Sequence, residues 1–182
     1  MEIIETGFKG LYIIQPKVFT DSRGYFFESY KHEDLLFAGI EFTPVQDNES
    51  KSLKGVIRGL HYQLNPFAQA KLIRVVVGKI YDVAVDLRTS SPTYSKWFGI
   101  ELDSENKTQF FIPKGFAHGF SVLSETAVIQ YKCDNLYNPQ AERGISLQDP
   151  ELNIDWRIAD MAPVISNKDL KNPLLREAEN NF

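Results

Sequence analysis

Six short segments rich in β-branched and aromatic residues follow one another through the middle of the chain. They are Lys71 to Val77 (KLIRVVV), Lys79 to Leu87 (KIYDVAVDL), Lys96 to Leu102 (KWFGIEL), Gln109 to Pro113 (QFFIP), Ala117 to Leu123 (AHGFSVL) and Thr126 to Cys133 (TAVIQYKC). Turn-forming residues separate them: Gly78, TSSP, DSEN, PKG and SE. Such residues suit a pleated, half-buried surface. Many short strands at even spacing predict an antiparallel sandwich or barrel. Helix signals are few. His32 to Gly39 carries early acids, an apolar face and a closing glycine, and Ser166 to Lys171 reads as one turn stopped by Pro173. The tail from Asn135 onward, broken by Pro139, Pro150, Pro163 and Pro173, is expected to pack as loops over the sheets.

Composition narrows the class. At 182 residues with 43% hydrophobic and 13% aromatic content, the chain is expected to form one domain, 1–182, with a real core. The net charge is −4 and no basic stripe occurs, so nucleic acid is not an expected partner. The first residues, MEIIETGFKG, lack the basic and apolar regions of a secretion signal. No apolar run reaches membrane-spanning length, so a membrane partner is not expected either. Cys133 is the one cysteine, which rules out an intrachain disulfide and suits a cytoplasmic location.

Chemistry-bearing side chains gather in strand contexts. Arg58, His61 and Gln63 lie in GVIRGLHYQ, Lys71 and Arg74 in the next strand, His118 in PKGFAHGF and Tyr131 in VIQYKC. Alternation puts His61 and Gln63 on one face, and Lys71 on the face opposite Arg74. Each has an ordinary structural reading. His61 could be a satisfied core histidine, His118 could bond a loop, Lys71 could guard an edge strand, and Tyr131 could be core. Ser166-x-x-Asp169 fits a helix capping box.

A metal site would need more. Only His61 and His118 are plausible imidazole ligands, Gln63 stands where a second His-x-His ligand would fall, and no carboxylate follows until Asp82. No metal is therefore expected. Cys133 has no obvious local activator, and no glycine-rich phosphate loop is present. What remains is proton chemistry: a histidine base, a lysine cation for an enolate and a tyrosine acid. That set suits proton abstraction beside a carbonyl of a phosphorylated or nucleotide-linked substrate.

Seven motifs in order carry a resemblance across nearly the whole chain. They are FTDSRGYFFESY, QDNES, RGLHYQ, PKGFAHGF, YKCDNLYNP, DPELNIDW and ISNKDLKNPLL. Together they resemble the dTDP-4-dehydrorhamnose 3,5-epimerases. The resemblance implies an all-β, cupin-type jelly roll (double-stranded β-helix) with a few short helices. It implies a homodimer needing no cofactor, acting on a dTDP-sugar by inverting C3 and C5 beside a C4 ketone. By position, it makes His61 the base, Asp169 its carboxylate partner, Lys71 the enolate-stabilising cation and Tyr131 the opposite-face acid. It makes Arg58 and His118 substrate contacts in the pocket. Arg23, Glu28, Gln46 and Asn48 become nucleotide and diphosphate contacts, some of them from the second subunit. Tyr137 becomes the thymine-stacking aromatic, and Glu142 and Lys168 further binding residues. Asp134, Leu136, Leu147, Gln148 and the segment DWRI depart from the family's usual residues.

The alternatives are a relative inverting only C3 or only C5, and a non-catalytic sugar-nucleotide-binding cupin. A 3,4-ketoisomerase resembles RGxHAH and is disfavoured by Gln63.

Overall fold

The computed structural model describes residues 1–158 and 161–182. Fourteen strands are present among them: β1 (Glu2–Glu5), β2 (Tyr12–Gln15), β3 (Phe19–Asp21), β4 (Gly24–Phe26), β5 (Gln46–Leu53), β6 (Val56–Gln63), β7 (Lys71–Val77), β8 (Lys79–Asp86), β9 (Trp97–Asp103), β10 (Gln109–Ile112), β11 (Phe116–Val122), β12 (Thr126–Cys133), β13 (Glu142–Gly144) and β14 (Val164–Ile165). One helix, α1 (His32–Phe37), and two 3₁₀ turns, Asp169–Lys171 and Leu175–Glu177, complete the set. No helix among the described residues is long and apolar enough to cross a membrane.

The strands form two main sheets. One runs β1-β2-β10-β7-β12-β5 and the other β13-β6-β11-β8-β9, with β14 parallel to β6. The pairing along both main paths is antiparallel. This is the antiparallel sandwich expected from the strand spacing, in the jelly-roll form that the family resemblance implies, with the sheets face to face. The inter-sheet core holds Ile73, Val75, Ile80, Ala84, Leu102, Phe110, Phe116, Phe120 and Ile129. The outer face of the five-stranded sheet is covered by the tail, which inserts Leu147, Leu152, Trp156 and Leu175 beside Tyr62, Tyr81 and Val83. The outer face of the six-stranded sheet is covered by Leu35 of α1 with Ile40 and Phe42. Both faces of β8 are therefore buried, which explains why its sequence is apolar without clean alternation.

Two regions were less legible. β5 has the polar sequence QDNESKSL, yet it pairs with β12 over eight residues. Its alternation is real but, Leu53 aside, polar on both sides: Asp47, Glu49, Lys51 and Leu53 face out, while Gln46, Asn48, Ser50 and Ser52 are more sheltered. The helix over His32 to Gly39 ends two residues early. Gly39 takes φ 78°, a left-handed position that favours glycine, and the amides of Gly39 and Ile40 return to Leu36 and Leu35 carbonyls.

Candidate active site

The sheets part at one end around a cavity of about 510 Å³. From the five-stranded sheet, β6 contributes Arg58 and His61, and β11 contributes His118. From the six-stranded sheet, β7 contributes Lys71 and β12 contributes Tyr131. The turn after β14 adds Lys168 and Asp169. A second hollow of about 120 Å³ shares His61, Lys71 and Tyr131, and extends to Gln46, Asn48, Gln63, Tyr137 and Glu142. The three catalytic candidates of the strands thus stand where the two spaces meet.

Close backbone packing makes this arrangement possible. Gly59 has φ 128°, and a Cβ there would lie 2.5 Å from the Gly119 Cα and 2.8 Å from the His118 carbonyl oxygen. The two glycines let β6 and β11 approach, and the ladder sets His61 opposite His118.

His61 Nε2 lies 2.6 Å from Asp169 Oδ1, with the histidine side chain 30% exposed and the carboxylate side chain 4% exposed. Burial acts to raise the Asp169 pKa, but the His61 contact outweighs it, helped by Ser166 and the Gly59 amide, and the carboxyl sits below its ordinary value. With Nε2–H given to Asp169, Nδ1 of a neutral His61 holds the lone pair that can accept a proton. The capping-box reading is half right. Ser166 Oγ accepts the Asp169 amide at 3.1 Å, while the Asp169 carboxylate turns to His61.

Lys71 has no ion-pair partner among the described residues. Burial holds its ammonium below the usual lysine range, with Cys133, Asp82 and Glu142 opposing that shift. Burial pushes the Tyr131 phenol up, which keeps it a proton donor at neutral pH. The Cys133 thiol is pushed up to about 11, first of all by burial, so it stays protonated and a poor nucleophile.

His118 does not bond a loop. Its Nε2 lies 2.5 Å from Asp82 Oδ1, with both residues buried. Asp82 is a site residue that sequence reasoning passed over. Strand alternation sets Asp82 and Ala84 on one face, and Ala84 is opposite His118 in the ladder, but nothing in the sequence alone shows that pairing. Ser52 was also missed; its hydroxyl accepts from Arg58 Nε at 3.0 Å and orients the guanidinium.

The binding candidates divide. Tyr137 donates its hydroxyl to Glu142 Oε2 at 2.6 Å, and Lys168 Nζ pairs with the same oxygen at 2.6 Å. Burial alone would raise Glu142, but Lys168 and Tyr137 hold it low. Gln46 Nε2 donates to Asn48 Oδ1 at 2.9 Å. Arg23 and Glu28, however, are not brought to the cavity within one chain. Arg23 sits in the turn of the β3–β4 hairpin, 86% exposed and paired with Asp21, and Glu28 lines a separate cleft with Met1 and Lys31. The atypical positions leave the catalytic groups alone. Asp134 accepts the Ala70 amide and pairs with Lys114, Leu136 is exposed, and Leu147 fills the outer core.

Comparison with known proteins agrees with this geometry. A family model described as dTDP-4-dehydrorhamnose 3,5-epimerase matches residues 5–177. A protein of that name from Shigella flexneri is 50% identical, covering 98% of this chain and 98% of its own. The crystal structure of dTDP-4-dehydrorhamnose 3,5-epimerase from Elizabethkingia anophelis NUHP1 is similar at a TM-score of 0.93 and 49% identity, covering 97% of both chains. The Legionella pneumophila dTDP-6-deoxy-D-glucose-3,5-epimerase, solved with dTDP-4-keto-L-rhamnose, is similar at 0.92 and 47%, covering 97% of this chain and 93% of its own. The family-model match over residues 5–177, the relatives matched over nearly their whole length and the shared two-sheet fold place this chain in the dTDP-4-dehydrorhamnose 3,5-epimerase family.

Proposed function

We propose that the cavity takes dTDP-4-dehydro-6-deoxy-D-glucose and inverts it at C3 and C5, giving dTDP-4-dehydro-L-rhamnose. The enzyme class is an isomerase acting on dTDP-sugars. The observation that carries the residue roles is the placement of His61 and Tyr131 on opposite sheets with Lys71 beside them. Both carbons flank the C4 ketone, so removing either proton gives an enolate on the same oxygen. His61 Nδ1 takes the proton, and Asp169 stabilises the imidazolium that forms. The Lys71 ammonium stabilises the enolate oxygen. Tyr131 returns a proton from the other side of the ring, and that opposition is what inverts the centre. Arg58 and His118 hold the sugar. Gln46, Asn48, Tyr137, Glu142 and Lys168 line the nucleotide side.

The working form in this reading is a cytoplasmic homodimer, each chain acting as one domain. The β3–β4 hairpin pairs with neither main sheet and exposes Phe19, Tyr25 (60%) and Phe26 (66%). Apolar side chains on such an arm suit burial against a second copy, where Arg23 and Glu28 would meet that copy's nucleotide. Sedimentation analysis should give twice the chain mass, and a monomer would remove this role for Arg23 and Glu28. Incubation of the purified protein with the 4-dehydro sugar nucleotide, followed by proton NMR, tests the reaction. The signals of the L-rhamno product are expected, and an unchanged spectrum would refute the assignment.

A further inference from the structure

Gln63 sits two residues beyond His61, buried on β6 and opposite Glu142 in the ladder. Its carboxamide is spent entirely on backbone. Nε2 donates to the Phe67 carbonyl at 2.6 Å and the Leu136 carbonyl at 3.2 Å, and Oε1 accepts the Asn138 amide at 2.7 Å. The amide of the residue between, Tyr137, donates at 2.8 Å to Gln46 Oε1. Three successive residues are therefore gripped by two glutamines. Gln63 comes from the five-stranded sheet and Gln46 from the six-stranded sheet, so the loop is stapled across the open end of the fold.

The grip matters because Tyr137 is not held by packing. The residue is 52% exposed, and its other restraint is the hydroxyl contact to Glu142. A half-exposed ring is aimed mainly by its backbone, and a ring that must be ordered on binding costs affinity. His61, by contrast, is held independently by Asp169.

We propose that Gln63 is a positioning residue that fixes the Tyr137 loop to the strand carrying His61. It thereby presets the nucleotide wall at a constant distance from the reacting sugar. The proposal rests on the reading of this pocket as a dTDP-sugar site. It assigns Gln63 to nucleotide affinity rather than to the proton-transfer step.

The test is calorimetric titration with dTDP alone, paired with steady-state kinetics. Gln63→Met keeps the length and removes all three hydrogen bonds. The expected result is a loss of roughly tenfold or more in dTDP affinity, each tenfold being about 1.4 kcal/mol. KM should rise in parallel, with kcat kept within about threefold. Gln63→Glu keeps the acceptor for the Asn138 amide but faces two carbonyls with a carboxylate. It should bind dTDP weakly at pH 8 and recover part of the loss at pH 5, relative to wild type, as a protonated carboxyl regains one donor. If Gln63→Met fails to fold, the Gln63→Glu pair of titrations decides. A folded Gln63→Met that binds dTDP within twofold of wild type overturns the proposal, as does a kcat loss at unchanged KM. Wild-type protein that binds no dTDP would instead overturn the functional reading, so the two failures are separable.

Discussion

Asp169→Asn isolates the charge behind His61. The amide keeps the side-chain shape and one acceptor oxygen, so the imidazole retains a neutral hydrogen bond in place of the 2.6 Å charged one. In the proposed mechanism proton abstraction turns His61 into an imidazolium, and the carboxylate favours that state over the neutral one. An ion pair at about 4 Å and an effective dielectric of about 20 is worth about 4 kcal/mol. Hydrogen bonds to charged groups contribute about 1.5–3 kcal/mol, against about 1 for neutral ones. Asp169 is buried, which limits screening, but the 30% exposure of His61 favours the lower part of this range. A loss of about 2–3 kcal/mol in the barrier corresponds to roughly 30- to 200-fold in kcat. The assay is the initial rate of solvent-deuterium incorporation into saturating substrate, with a thermal melt to confirm folding. A folded Asp169→Asn enzyme within threefold of wild type would refute the dyad. The same substitution has a pH signature in stability. The Asp169 carboxyl lies below its ordinary value in the folded state, so its contribution is complete above the unfolded carboxyl pKa and is lost as pH falls through the folded one. The stability gap between wild type and Asp169→Asn should therefore close in acid.

Three further outcomes follow from the same geometry. Burial holds Lys71 below the ordinary lysine pKa of about 10.4, so the cation is lost as pH rises through that lowered value and kcat should fall on the alkaline side below the ordinary lysine range. In Lys71→Arg the guanidinium stays charged, and residual activity should show no such limb; an identical limb in both pH–rate profiles would clear Lys71 of the role. Tyr131→Phe should still wash deuterium into substrate while forming inverted product at least tenfold more slowly, within the range of general acid catalysis, as read by mass spectrometry against product NMR. Gly59→Ala would set a methyl 2.5 Å from the Gly119 Cα at a φ of 128°, and should cost about 3 kcal/mol or more by chemical denaturation; a wild-type midpoint would mean the strands need not be that close.

Much of this was legible in the chain because its central strands are continuous apolar runs bounded by turns. The elements over Lys71 to Cys133 lie within a residue or so of expectation. β5 escaped notice because its sheltered side chains, Gln46, Asn48, Ser50 and Ser52, lie on the polar open end rather than in an apolar core. The hairpin β3–β4 escaped because three-residue strands leave too little alternation to read. At the site, His61, Lys71 and Tyr131 were readable as a set because polar groups in strand contexts call for explanation. Their pairings were not readable from spacing, since Asp169 meets His61 across 108 residues of chain, and only the family resemblance supplied that partner. Asp82 was invisible for the same reason. Gln63 was noticed for what it is not, a second histidine, and its work as a clamp depends on loops folded over it.

In the proposed reaction one base, His61, opens both carbons beside the ketone. Proton NMR of the dTDP-4-dehydro-6-deoxy sugar incubated in D₂O tests it most directly. Deuterium is expected at both C3 and C5 with wild-type protein and at neither with a folded His61→Ala. Label at only one carbon, or both labels persisting in His61→Ala, would contradict it.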